Sequence, residues 1–147
     1  MEKILLGLFC MAVIVSCNSD RGNDAVIEPT VVGVWKLEKD LVISGADHTT
    51  ILHEYIPDDC KNKSTFEFAA DGKYVANTYN TINSNCVNSV MNSQYQYKKN
   101  EKKLIIGVTT ADVLELSDHR LIIYAADNYD SNNDGIDDFV KYYFIRL

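Results

Sequence analysis

From about residue 30 onward the chain alternates. Trp35, Leu37, Leu41, Phe66, Phe68, Leu114, Leu116, Leu121 and Ile123 are separated by polar neighbours such as Lys36, Glu38, Glu67 and Glu115, the period-two spacing of strands that turn one face to a core. No window of a dozen residues sustains an apolar period of 3.6. The runs break at Gly, Asn, Asp and Ser, which predicts strands over Val31 to Ile43, Thr50 to Ile56, Ser64 to Ala69, Lys73 to Asn80, Gln94 to Lys99, Lys103 to Val108, Asp112 to Ser117, Arg120 to Ala126 and Phe139 to Leu147. Links such as Asp71-Gly72 and Asp118-His119 are short enough to join antiparallel neighbours. The expected fold is all-β: a small antiparallel up-and-down (meander) β-barrel of about eight strands, closed so that no edge is exposed. Its interior takes packed side chains or one small ligand. The Asn- and Ser-rich stretch from Thr81 to Ser93 reads as an exposed loop at the rim.

The N-terminus is of a different kind. Met1-Glu2-Lys3 precedes twelve apolar or small residues, Ile4 to Val15, too short for a bilayer that needs about 20 and suited to an export leader. It ends in Ile14-Val15-Ser16-Cys17, which resembles the lipobox of bacterial lipoproteins; the resemblance implies a signal peptide over 1–16 and a covalent lipid, palmitate included, on Cys17. A secretory leader that happens to contain a cysteine is the alternative. Residues 17–29 are polar and read as a flexible lipidated tether, leaving 30–147 as the folded domain. A multiply acylated Cys17 would hold the chain to a membrane where one acyl chain would not. Bacterial lipoproteins with aspartate after the lipidated cysteine tend to stay at the inner membrane; Asn18 stands there, so the resemblance implies the outer membrane of the cell envelope.

Removing the leader takes away one acid and one base, Glu2 and Lys3, so the formal charge of −7 is unchanged. That balance argues against nucleic acid as a partner. With 46% hydrophobic and 10% aromatic residues the chain is too apolar to be disordered, and its length suits a single core.

Four cysteines are present. Cys10 lies in the leader and Cys17 in the lipobox, so Cys60 and Cys86 are the pair left to the domain, and export invites a disulfide between them. Two buried free thiols are the alternative. His48 and His53 lie in a segment read as extended, facing opposite ways, and His119 in a distant turn, so zinc is not expected. There is no Gly-rich phosphate loop, no His-Glu-x-x-His and no Gly-x-Ser-x-Gly, so no motif supports an enzyme; a dispersed carboxylate pair, such as one involving Glu54 and Asp58, is the alternative, although surface acids are usually only solvated. Lys98 to Lys103 reads as a polar hairpin tip.

The strongest chemical pattern is Asp130-Ser131-Asn132-Asn133-Asp134-Gly135-Ile136-Asp137-Asp138, which fits Asp-x-Asn-x-Asp-Gly-x-x-Asp. Calcium takes six to eight oxygen ligands, and this spacing offers the side chains of Asp130, Asn132, Asp134 and Asp138 with the backbone carbonyl of Ile136. Lys141 stands where an EF-hand carries its bidentate glutamate, so the expected affinity is weak. The other reading is a solvated turn, since Asn, Asp and Gly favour turns for conformational reasons.

Several segments together resemble a known family. Gly33-Val34-Trp35-Lys36-Leu37 is similar to the Gly-x-Trp opening strand of lipocalin-like proteins. Cys60, Phe66-Glu67-Phe68, Asp71-Gly72-Lys73-Tyr74 and Cys86 look like the centre of the lipocalin-like domain found in Bacteroidota lipoproteins. Val113-Leu114-Glu115-Leu116-Ser117, Leu121-Ile122-Ile123 and a last strand ending in arginine resemble its closing half. Ser93-Gln94-Tyr95-Gln96-Tyr97 departs from the family, which often has a second Gly-x-Trp there. The resemblance implies a binding module whose barrel mouth takes a small apolar or amphipathic molecule, with Phe66, Phe68, Tyr95 and Leu114 as the expected lining, and Arg146 packed over Trp35 beside Gly33. A solvated Arg146 is the alternative to that packing. A filled core that meets an envelope protein or glycan is the alternative to ligand binding.

Overall fold

The computed structural model describes residues 28–147; the expected signal peptide, Cys17 and the expected tether up to residue 27 lie outside the described residues. Nine strands follow one another: β1 (Gly33–Ile43), β2 (Ile51–Tyr55), β3 (Thr65–Phe68), β4 (Lys73–Ile82), β5 (Asn85–Lys98), β6 (Lys103–Ile106), β7 (Thr109–Leu116), β8 (Arg120–Ala126) and β9 (Phe139–Arg146). Every pairing is antiparallel from β3 through β9, and β1 pairs with both β3 and β9. The meander therefore closes on itself through eight strands. The ninth, β2, shares an edge of β1 with β3: β3 pairs with Gly33, Val34 and Trp35, β2 with Asp40 to Ile43.

Connectivity divides the barrel into two ends. The β3–β4, β5–β6 and β7–β8 turns gather at the end where β1 begins, and the β1–β2, β4–β5, β6–β7 and β8–β9 connections at the other. Inward side chains of successive strands pack as one cluster that includes Trp35, Leu37, Phe68, Tyr74, Leu104, Val113, Leu121, Ile123 and Phe144. Burial of side chains this size contributes about 1.5–3 kcal/mol each.

At the first end Trp35 is fully buried and its indole Nε1–H donates to the Val31 carbonyl at 2.8 Å. The Arg146 guanidinium lies 4.1 Å from the indole centroid and donates to the carbonyls of Val32 (2.6 Å), Thr30 (2.6 Å) and Asp118 (2.7 Å). The expected stacking is therefore present, and it ties the last strand to the entry of the first and to the β7–β8 turn. Gly33 is required here: its φ is +143°, and an added Cβ would fall 2.2 Å from an Arg146 nitrogen.

Two bulges overturn part of the face assignment read from alternation. The β1–β9 register shifts between Leu37 and Lys39, and the β7–β8 register between Val113 and Glu115. An inserted residue flips the side chains that follow it. Leu41 is buried but outside the core cluster, while its neighbour Asp40 turns inward; Leu114 is the extra residue of its bulge and is 50% exposed.

The stretch Thr81 to Ser93 is likewise not a loop. β4 and β5 form ten consecutive pairs, from Lys73↔Gln94 to Ile82↔Asn85, turning through Asn83 (φ +49°) and Ser84 (φ +63°) in the left-handed geometry that suits two-residue hairpins. Cys60 and Cys86 form a disulfide with a Cα–Cα distance of 5.5 Å, which fastens this hairpin to the segment after β2. His48, read as extended, sits in a turn with φ +57°.

Candidate ligand-binding cavity

The core cluster does not fill the barrel. Toward the second end the strands enclose a cavity of about 730 Å³, inside the roughly 300–1,000 Å³ range of small-ligand sites. Its apolar wall is formed by Leu37 of β1, Phe66 of β3, Leu104 of β6, Ala111 of β7, Ile123 and Ala125 of β8, and Phe144 of β9. Small residues on β7 and β8 leave the space: Ala111 and Ala125 stand where their apolar strand neighbours Val113 and Ile123 are larger. Met91, Val108 and Thr109 line its mouth, and Met91 and Val108 are strongly exposed there.

The wall also carries polar atoms. The bulge after Leu37 brings the half-buried Asp40 onto it, paired across the closing seam with Tyr142, and Tyr74, Lys61, Thr78, Ser93 and Thr109 line it as well. Among the described residues, the Asp40 carboxylate and the hydroxyls of Tyr74 and Tyr142 have no hydrogen-bond partner, whereas Tyr95 donates to the Ala69 carbonyl at 2.9 Å and Tyr124 lies 3.0 Å from His48 Nδ1. Lys61 Nζ donates to Asn80 Oδ1 at 2.9 Å. Burial pushes the Asp40 carboxyl above the usual aspartate value, opposed by His53 and Lys61 and reinforced by Asp127. Burial also pushes the Tyr74 hydroxyl up to about 12, helped by Tyr142, and raises Tyr142, with Asp127 and Asp40 adding to the effect. No partnerless side-chain polar atom is sealed away from solvent among the described residues. The unpaired groups of Asp40, Tyr74 and Tyr142 are on the cavity wall.

Of the four expected lining residues, Phe66 is on the cavity wall. Phe68 and Tyr95 pack edge to face at 4.9 Å, in the core rather than on that wall. Leu114 projects outward from its bulge and is corrected to a surface residue. Asp40, Tyr74 and Tyr142 were not expected from sequence, because polar residues inside a barrel run against the rule that alternation is read by. The signal available was Glu38-Lys39-Asp40: three charges in succession within a strand mark a break of phase.

The acidic hairpin between β8 and β9 is organised by its own carboxylates. Asp130 accepts from the N–H groups of Asp134 (3.2 Å) and Gly135 (2.8 Å), Asn132 Oδ1 from Asp134 N–H (3.1 Å), and Asp134 Oδ1 from Ile136 N–H (2.9 Å). Asn132 Nδ2 donates to Asp134 Oδ2 at 2.9 Å. Asp138 is fully buried and both its oxygens are engaged, by Ser131 N–H (2.7 Å) and Gly45 N–H (3.0 Å). These donors, Ser131 first, hold its carboxyl below the usual aspartate value. Gly45 fits because the hairpin backbone is against it: an added Cβ would lie 2.1 Å from the Asp137 carbonyl oxygen. Among the described residues no three His, Cys, Asp or Glu side chains are gathered as metal ligands. The hairpin is thus latched to the β1–β2 turn, itself braced by Asp47, whose carboxylate accepts from the Thr50 hydroxyl and from the Thr50 and Thr49 N–H groups.

A family model described as a lipocalin-like domain matches residues 31–123. The chain belongs to the lipocalin-like family. The match runs from the approach to β1 into β8, and in this lipocalin-like chain β9 then supplies the closing seam and Arg146. The chain is also similar, at low identity, to several solved structures. A bovine odorant-binding protein, as a deswapped triple mutant, is 11% identical, with 78% of this chain and 72% of that one covered at a TM-score of 0.44. A dog lipocalin allergen is 14% identical, over 80% and 74%, at 0.45. A complex of bovine odorant-binding protein with undecanal is 12% identical, over 82% and 75%, at 0.46. No curated protein matches the chain.

Proposed function

We propose that this lipocalin-like protein holds a small apolar or amphipathic molecule in the open end of its barrel and has no catalytic role. The observation that carries the reading is the cavity of about 730 Å³, lined mainly by apolar side chains with a few polar ones, Asp40 and Tyr142 among them. Apolar surface removed from water supplies the driving force, roughly 25 cal/mol per Å². The test is fluorescence titration with N-phenyl-1-naphthylamine, an apolar reporter. Saturable micromolar binding is expected, weakened at least tenfold by Ala125→Leu or Ala111→Leu, which place bulk in the space. Absence of saturable binding overturns the reading.

The N-terminal anchor belongs to the same proposal. Acylation of Cys17 would fix the barrel at the cell envelope, with the tether setting its distance from the outer membrane. Palmitate labelling that is lost in Cys17→Ser supports it, and an unmodified cysteine in the mature protein rejects it.

Calcium at the acidic hairpin is proposed as an ordering ion with no part in ligand binding. Asp134 N–H donates to both Asp130 and Asn132, and Asn132 Nδ2 donates to Asp134 Oδ2; the carbonyl of Ile136 is the backbone ligand that the spacing supplies. An ion would compete with the N–H donors those oxygens now accept from, so millimolar affinity is expected. Calorimetry with and without Asp134→Ala decides it; no heat at millimolar calcium rejects the site.

A second reading, contact with an envelope protein or glycan, is favoured by one feature: the β4–β5 hairpin leaves Ile82, Val87 and Val90 exposed. If the barrel takes no ligand, crosslinking from that hairpin is the experiment to pursue.

A further inference from the structure

We infer that the cavity selects amphipaths whose head group donates hydrogen bonds, long-chain amines first and alcohols second, over long-chain carboxylates. This deepens the binding role proposed above and rests on it. Strand direction sets the polarity of the site. Along β1 the chain runs from Trp35 at the filled end to Ile43 at the open one, and along β9 from Phe139 at the open end to Arg146 at the filled one. The Asp40↔Tyr142 pair therefore lies nearer the mouth than Leu37↔Phe144, the next inward pair of the seam, and both pairs line the cavity. An amphipath entering tail first would leave its head beside Asp40 and Tyr142.

What the head meets is chiefly acceptors. Ionised Asp40 accepts only, and the hydroxyls of Tyr142 and Tyr74 can each accept as well as donate. At Asp40 the charges of His53 and Lys61 favour the ionised form and Asp127 opposes them, while at Tyr142 both Asp127 and Asp40 contribute negative charge. The one ammonium on the wall, Lys61, already donates to Asn80. A protonated amine converts the unpaired carboxylate into a charge-assisted hydrogen bond, a hydroxyl gives a neutral one, and a carboxylate head adds a like charge. No hydrogen bond or ion pair among the described residues involves the Asp40 carboxylate, so His53 and Lys61 act on it through charge alone and leave its oxygens open to a donor.

Competition against bound N-phenyl-1-naphthylamine tests this, using decylamine, decanol and decanoate below their aggregation concentrations with the purified full chain at neutral pH. Expected is a decylamine affinity at least tenfold above that of decanoate, with decanol between, and loss of most of that ratio in Asp40→Asn. Glu115→Gln removes the same charge from the outer wall, where Glu115 pairs with Ile122, and should leave the ratio intact. Decanoate binding as well as decylamine, or an equal loss in Glu115→Gln, overturns the inference while leaving the cavity reading in place. Failure of all three to displace a bound reporter does the same. Failure of the reporter to bind removes both.

Discussion

At one end of the barrel the polar atoms pair inside the protein. Trp35 donates to Val31, Arg146 donates to three carbonyls and covers the indole, and Gly33 leaves room for the guanidinium. Toward the other end Asp40 and Tyr142 face the cavity with no hydrogen-bond partner among the described residues. One end thus holds the fold together and the other is left available for binding. Because both are built on the same strands, β1 and β9, a single register serves both: the bulge after Leu37 keeps Trp35 in the core and still turns Asp40 to the cavity.

This contrast is open to mutation, and the largest effect is expected at the filled end. Trp35→Ala removes the central side chain of a closed core and should destabilise the domain by about 3–5 kcal/mol in urea unfolding. Replacing Cys60 and Cys86 with serine releases a long loop and should cost about 3.5 kcal/mol on the chain-entropy account; reporter affinity at the cavity should change less than threefold, since neither cysteine lines it. Arg146→Ala should cost about 2 kcal/mol, from the lost cation–π contact and carbonyl hydrogen bonds, again with little change in binding. A large loss of reporter affinity in Arg146→Ala would erase the distinction between the ends.

The smallest stability effect is expected at the open end, with the opposite sign. Burial raises the Asp40 carboxyl above its ordinary value near 3.9, so the folded protein holds that proton more tightly than the unfolded chain. Ionising Asp40 therefore weakens the fold as pH rises above the ordinary aspartate value, and the penalty is absent below it. Asp40→Asn should raise stability at pH 7 by less than about 1 kcal/mol, because the carboxylate is half exposed and screened, and should have no effect near pH 3. A destabilised variant at pH 7 in thermal melts would mean that Asp40 has a structural partner.

The barrel was legible in the sequence where one face is dry and the other wet. Trp35, Leu37, Leu121 and Ile123 alternate with polar neighbours because their strands have a core side and a water side, and the disulfide followed from the two cysteines left to a domain expected to be exported. The β4–β5 hairpin was not legible because its outer part is wet on both faces: Asn85 to Asn92 is exposed throughout, so nothing forces an alternation. Backbone pairing and the disulfide hold it instead. Leu41 and Leu114 were misplaced for a second reason, since a bulge changes phase without changing composition. The cavity wall was half legible. Phe66 is apolar and in phase, whereas Asp40 and Tyr142 are polar residues in a place reserved by pattern for apolar ones. In the acidic hairpin the turn chemistry was legible, but the burial of Asp138 under Gly45 and Ser131 depends on a contact 93 residues away in sequence.

The most direct test of the division between the two ends is an amide chemical-shift map of the isotope-labelled protein titrated with decylamine. Shifts should concentrate at Asp40, Tyr74, Ala125 and Tyr142 and leave Trp35, Phe68 and Arg146 unmoved. Perturbation confined to the outer β4–β5 hairpin, or centred on Trp35 and Arg146, would contradict the account.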